Sequence, residues 1–174
     1  MTHIDYTLYL VTDRSVMSAK SLEQAVEQAI QGGCTVVQLR EKYASSREFF
    51  ETAQRVKQIT DSYHIPLIIN DRTDICLAVN AAGIHIGQQD LPAKIVRSMV
   101  GPDKIIGVSA ATLSEAIQAE QDGADYLGVG AMFATSTKTN TRPVTIERIT
   151  QIKQAVQLPV VAIGGIQSSN VTTL

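Results

Sequence analysis

Seven short apolar runs, each closed by a polar residue or a glycine, limit what this chain can fold into more than any other feature. They read "LYLVTD" (8–13), "TVVQLR" (35–40), "PLIIND" (66–71), "GIHIGQ" (83–88), "IIGVSA" (105–110), "YLGVGA" (126–131) and "PVVAIG" (159–164). Each is rich in Val, Ile, Leu or Tyr and too short for a free-standing helix, which predicts strands. Helical patterns with legible ends lie between them. "SLEQAVEQAIQGG" starts at Ser21 with Gln24 three residues on, a capping-box pattern, puts Leu22, Ala25, Val26, Ala29 and Ile30 on one face, and stops at Gly32. Ser45 with Glu48, and Thr112 with Glu115, repeat the device, and Phe49, Ala53, Val56 and Ile59 form the stripe of the second helix. Pro92 suits the first turn of a short helix ending near Val100.

Strands alternating with helices predict parallel pairing, because each return has to cross over a helix. A weak echo between "QGGCTVVQLR", "NAAGIHIGQ" and "QDGADYLGVG" points to one repeated unit, and no Gly/Ser-rich linker splits the chain. Asp13, Arg40 and Lys42, Asn70 and Asp71, Gln88 and Asp90, Ser109, Thr135 to Lys138, and Gly164 with Gly165 follow the seven runs in turn. A closed barrel gathers all such strand ends at one mouth, whereas an open doubly wound sheet gathers only those at its switch point. The expectation is therefore an α/β fold, a TIM (β/α)8-type barrel, in one domain over residues 1–174. Only seven strands are visible where eight are expected, so the domain reads as truncated at its C-terminal end, after "SSNVTTL".

Fifteen basic residues against 17 acidic ones, a net charge of −2, leave no electrostatic footprint for nucleic acid. No apolar stretch approaches the roughly 18 residues of a membrane span. The opening "MTHIDYTLYLVTDR" lacks the plan of a signal peptide, so the expected location is the cytoplasm. Cys34 and Cys76 fall in apolar elements outside any CxxC pattern and read as reduced, small hydrophobes.

The strand ends carry the candidate chemistry. Asp71 and Asp90 follow adjacent strands, and their oxygens, completed by water and phosphate, suit Mg²⁺. The plainer alternatives are that Asp71 caps the helix "RTDICLAVN" and that Asp90 serves the turn into Pro92, but two such carboxylates beside Arg40 and Lys42 favour a metal–phosphate site. In "ATSTKTNT" the hydroxyls of Thr135, Ser136 and Thr137 and the ammonium of Lys138 suit phosphate oxygens, although a solvated loop has the same composition. The glycines of "VVAIGGI" let backbone amides approach an anion, or simply make a tight turn. His85, between Ile84 and Ile86 in a strand, reads as packed rather than catalytic.

"YLVTD", "GGCTVVQLREK", "LIINDR", "AAGIHIGQQDLP", "IIGVSAATLSEA", "DGADYLGVG", "TSTK" and "VVAIGGI" together resemble the thiamine-phosphate synthase family, in order, from about residue 8 to residue 167. "QLREK", "NDR" and "GQxD" in combination are far more specific than any one alone. The resemblance implies a TIM barrel and a transferase of thiamine biosynthesis that requires Mg²⁺. Hydroxymethylpyrimidine diphosphate would lose pyrophosphate, and the nitrogen of thiazole phosphate would attack the freed methylene. Carried over position by position, it implies that Gln38 contacts the pyrimidine and that Arg40, Lys42, Asn70 and Lys138 hold the pyrophosphate. It further implies Asp71 and Asp90 as Mg²⁺ ligands, Ser109 near the diphosphate substrate, and Thr135, Thr137 and Gly165 on the thiazole phosphate. Arg40, Lys42, Ser109 and Lys138 would be the catalytic set.

Two departures stand out. "GAMFATSTK" has Ala131 and Ala134 where members of the family often carry prolines, which would loosen the loop. The final strand of the family is not in this sequence, which leaves a seam whose exposed edges invite association, a homo-oligomer included. A fragment, an associating chain and a degenerate copy all fit. The rival readings are a thiazole tautomerase of the same fold, a sugar-phosphate isomerase or epimerase with Asp13 as its base, and a non-catalytic precursor-binding paralogue.

Overall fold

Runs that are apolar at every position, rather than at alternate ones, are strands covered on both faces, and this is how they fold in the computed structural model, which describes residues 4–135 and 142–174. The order is β1 (Tyr9–Val11), α1 (Leu22–Gln31), β2 (Val36–Leu39), α2 (Ser46–Ser62), β3 (Leu67–Asn70), α3 (Thr73–Ala78), β4 (Gly83–Ile86), α4 (Ala93–Val100), β5 (Ile105–Ala110), α5 (Leu113–Gln121), β6 (Tyr126–Val129), α6 (Ile146–Ala155) and β7 (Val160–Ala162). Single turns of 3-10 helix follow β1, at Arg14–Val16, and end the chain, at Val171–Thr173. All seven strands stand where the apolar runs predict them, each shorter than or equal to its run.

The chain packs as two compact units, Met1–His85 with Ser98–Ile105, and Ile86–Arg97 with Ile106–Leu174. In the first, β1 pairs with β2, β2 with β3 and β3 with β4, all parallel. Val36, Val37 and Leu39 of β2 and Leu67, Ile68 and Ile69 of β3 are almost fully buried. Against them lie Leu22, Val26 and Ile30 of α1 and Phe49, Ala53 and Val56 of α2. Burial of each of these larger side chains contributes about 1.5–3 kcal/mol. β1 is only half-buried along its length. In the second unit β5 pairs with β6 and β6 with β7, again parallel. Its core is built from Ile106, Val108, Leu127, Val129, Ala116, Ala119 and Ile152, with the fully buried ring of Tyr126 beside Gly107. A Cβ at Gly107 would sit 2.1 Å from that ring, which explains a glycine inside "IIGVSA".

The helix ends follow the sequence closely. Ser45/Glu48 and Thr112/Glu115 form complete capping boxes. Ser21 accepts the N–H of Gln24, but the Gln24 side chain accepts from Lys20 N–H instead of from Ser21, so only half of that box forms. Gly32 is the C-cap of α1 with an ordinary φ of −77°, and Gly33 takes the left-handed turn at φ 98°. Cys34 and Cys76 are buried free thiols. Among the described residues no helix is long and apolar enough to cross a membrane.

Candidate active site

β2 ends in "REK", two cations around an anion, and each of the three finds a different partner. Strand register determines which. Val11 lies opposite Gln38, so two residues further on Asp13 comes level with Arg40. The Arg40 guanidinium donates to Asp13 Oδ2 at 2.9 Å, with side chains 15% and 12% exposed. Glu41, next along, accepts from Arg14 Nε at 2.7 Å. On the other flank Leu39 lies opposite Ile69, which brings Asp71 alongside the end of β2. Lys42 Nζ sits 3.0 Å from Asp71 Oδ2, and this pair is the more exposed of those flanking β2's end on Asp13 and Asp71.

The backbone holds these ends in place. Thr12 N–H donates to the Gln38 carbonyl at 3.0 Å, and Arg40 N–H donates to the Thr12 hydroxyl at 3.0 Å, so the ladder continues past the last strand residue. Asp71 has φ 65°, a left-handed conformation that Asp tolerates better than most residues. Its N–H is anchored on the His85 carbonyl at 2.8 Å. This excludes the capping reading of Asp71. The N-cap of α3 is Arg72, with no side-chain cap, and the Asp71 carboxylate goes to Lys42. Gln38 is buried, and its amide donates to the Tyr9 hydroxyl at 2.9 Å. Asn70 ends β3, half-buried, opposite His85, which is itself buried.

Sequence reasoning missed Asp13 as the anchor of Arg40 and Arg14 as the partner of Glu41; the signal available was charge of opposite sign at the ends of consecutive strands. The Ser15 hydroxyl, foremost, then the Ser15 N–H and Arg40, hold the Asp13 carboxyl below its ordinary value against the upward push of burial.

In the second unit Asp90 does serve a turn: its Oδ2 accepts the Gly87 N–H at 2.6 Å. Gln88 donates its amide to the Ser109 carbonyl at 2.7 Å, tying that turn to β5. Ser109 is half-buried near the end of β5. Thr135 is half-buried on the segment leaving β6. Gly164 and Gly165 have φ of 99° and 63°, and a Cβ on Gly165 would lie 2.5 Å from the Ala134 carbonyl oxygen, so this position needs glycine. Ser136, Thr137 and Lys138 lie outside the described residues. Among the described residues no three His, Cys, Asp or Glu side chains cluster as a metal site.

Parallel strands returning through helices, with charge and glycine at their carboxyl ends, define an α/β protein of the TIM-barrel type, seven of whose strands are described. The chain belongs to the thiamine monophosphate synthase family, whose model matches residues 8–174. It is 61% identical over 171 residues to thiamine-phosphate synthase of Ruminiclostridium cellulolyticum, covering 98% of this chain and 81% of that protein. It is 59% identical over 172 residues to thiamine-phosphate synthase of Clostridium tetani, covering 99% and 82%. The solved structure of thiamine phosphate pyrophosphorylase from Pyrococcus furiosus superposes with a TM-score of 0.85 at 39% identity, over 94% of this chain and 77% of that one.

Proposed function

We propose that the protein is a thiamine-phosphate synthase that condenses hydroxymethylpyrimidine diphosphate with thiazole phosphate, giving thiamine phosphate and pyrophosphate, and that it acts in the cytoplasm. The observation that carries this reading is the pair of cations after β2, Arg40 and Lys42, held at 2.9 Å and 3.0 Å on Asp13 and Asp71, in a chain of this family. A cation already anchored by a carboxylate needs little reorganisation to receive an anion.

In this reading Arg40, Lys42, Asn70 and Lys138 bind the diphosphate, Gln38 orients the pyrimidine, and Ser109 lies beside the diphosphate end. Thr135, Thr137 and Gly165 receive the thiazole phosphate. In this reading Asp71 and Asp90 would be the Mg²⁺ ligands, since the ion takes one or two hard carboxylate oxygens and keeps water and phosphate oxygens for the rest. Bound there, the ion would supply positive charge to the diphosphate oxygens. As the carbon–oxygen bond breaks, negative charge grows on the departing pyrophosphate, and fixed cations stabilise that state more than the ground state. The pyrimidine-methyl cation is then captured by the thiazole nitrogen, and no side-chain nucleophile is needed. The sugar-phosphate isomerase reading loses its base. Proton abstraction near neutral pH calls for a carboxyl raised toward 7, whereas Asp13 is held low, on Ser15 and Arg40.

The test is incubation of the purified protein with both substrates and Mg²⁺, following pyrophosphate and thiamine phosphate together. Equal amounts of the two products are expected. Ligand-dependent melting without release would make the protein a binder, and isomerisation of the thiazole precursor without the pyrimidine substrate would make it a tautomerase.

A further inference from the structure

The connection from β6 to α6 carries Thr135, and its two limbs are stitched together at the base. Ala131 N–H donates to the Arg142 carbonyl at 3.2 Å, and Val144 N–H returns to the Ala131 carbonyl at 2.9 Å. The outgoing limb is held a second time, by Met132 and Phe133 N–H groups on the carbonyls of Ile163 and Gly164, at 3.0 and 2.9 Å. The Arg142 side chain then reaches away from the loop. Its Nη2 donates to Glu115 Oε1 at 2.5 Å.

Glu115 is more than a surface partner. Its other oxygen, Oε2, accepts the N–H groups of Ala111 at 2.8 Å and Thr112 at 3.2 Å, the two residues that follow β5. One carboxylate therefore divides its oxygens between the cap of α5 and the return limb of the β6–α6 loop. The cap alone needs only Oε2. Glu115 is 18% exposed and Arg142 59% exposed, so the pair sits at the edge of the molecule, where an ion pair adds little to global stability. What it does add is a third attachment for the loop, made to the turn directly after β5.

We propose that Arg142 is a positioning residue: through its ion pair with Glu115 it fixes the loop base so that Thr135 is presented to the thiazole phosphate at a set distance from β5. This rests on the thiamine-phosphate reading of the site. Ser109 itself lies in the β5–β6 ladder, opposite Gly128, and stays in place without the pair. The loop, by contrast, loses one of its attachments when the pair is removed. Binding of the thiazole phosphate on Thr135 is therefore the quantity at risk.

Two variants separate the clamp from the cap. Arg142→Ala removes the cation, while Glu115→Gln keeps an amide oxygen for the Ala111 and Thr112 N–H groups and loses the charge. Each is expected to raise KM for thiazole phosphate about tenfold. The melting temperature is expected to stay within about 2 °C, and Arg142→Lys to recover most of the affinity. An unchanged KM for thiazole phosphate in Arg142→Ala overturns the proposal. So does a rise in KM that comes with a lower melting temperature, which would mark a merely structural pair. A wild-type protein that makes no thiamine phosphate would sink the activity assigned above, a result distinct from an active wild type whose Arg142 variants behave like it.

Discussion

Replacing Asp13 by Asn removes one negative charge and little else, since the amide oxygen can still accept from the Ser15 N–H and hydroxyl, now at 2.9 and 2.6 Å. What is lost is the ion pair with Arg40 at 2.9 Å. Two unit charges at that separation attract by about 6 kcal/mol at an effective dielectric of about 20. Desolvation of both groups cancels most of this. Truncating one partner of a fully buried pair costs about 3–5 kcal/mol, and exposed pairs contribute about 0–1. With both side chains mostly but not wholly covered, the expected loss is about 2 kcal/mol at pH 7.

The same loss has a pH signature. Folding lowers the Asp13 pKa from its ordinary 3.8, so the carboxylate stabilises the native state fully above that value. The contribution disappears as pH falls through the lowered native value. Urea titrations of wild type and Asp13→Asn should therefore differ by about 2 kcal/mol at neutral pH and converge as the pH drops below 3.8. Equal stabilities at pH 7, or a gap that persists unchanged into acid, would refute the assignment of charge pairing as the reason Asp13 stands there.

Two further outcomes follow from the same geometry. Arg40→Ala and Asp71→Ala should each lower the rate of pyrophosphate release by about a hundredfold or more while circular dichroism shows the fold retained; wild-type turnover in either purified variant would remove that residue from the mechanism. Burial pushes the Cys76 thiol up to about 11, with the Lys104 charge only partly opposing it, and raises Cys34 as well. A thiol reagent at neutral pH should therefore leave the native protein unlabelled and titrate both cysteines once denaturant is added, and rapid native labelling would contradict that burial.

Much of this was legible in the linear chain. The seven strands, the stop at Gly32, and the boxes at Ser45/Glu48 and Thr112/Glu115 depend on residues within about four positions of one another, so local pattern suffices to find them. The strand ends that hold Arg40, Lys42 and Asp71 were visible for the same reason. Their pairings were not. Asp13 meets Arg40 from 27 residues away and Asp71 meets Lys42 from 29 away, across separate strands. Only the parallel register of β1, β2 and β3 decides who stands beside whom. Tertiary structure likewise ruled out Asp71 as a helix cap: the residue takes a left-handed conformation, its carboxylate goes to Lys42, and the N-cap of α3 is Arg72. Short-range physics determined where strands and helices begin and end. The partners of their charged tips came from how the strands align, because a side chain's neighbours across a sheet are set by hydrogen-bond register and not by distance along the chain.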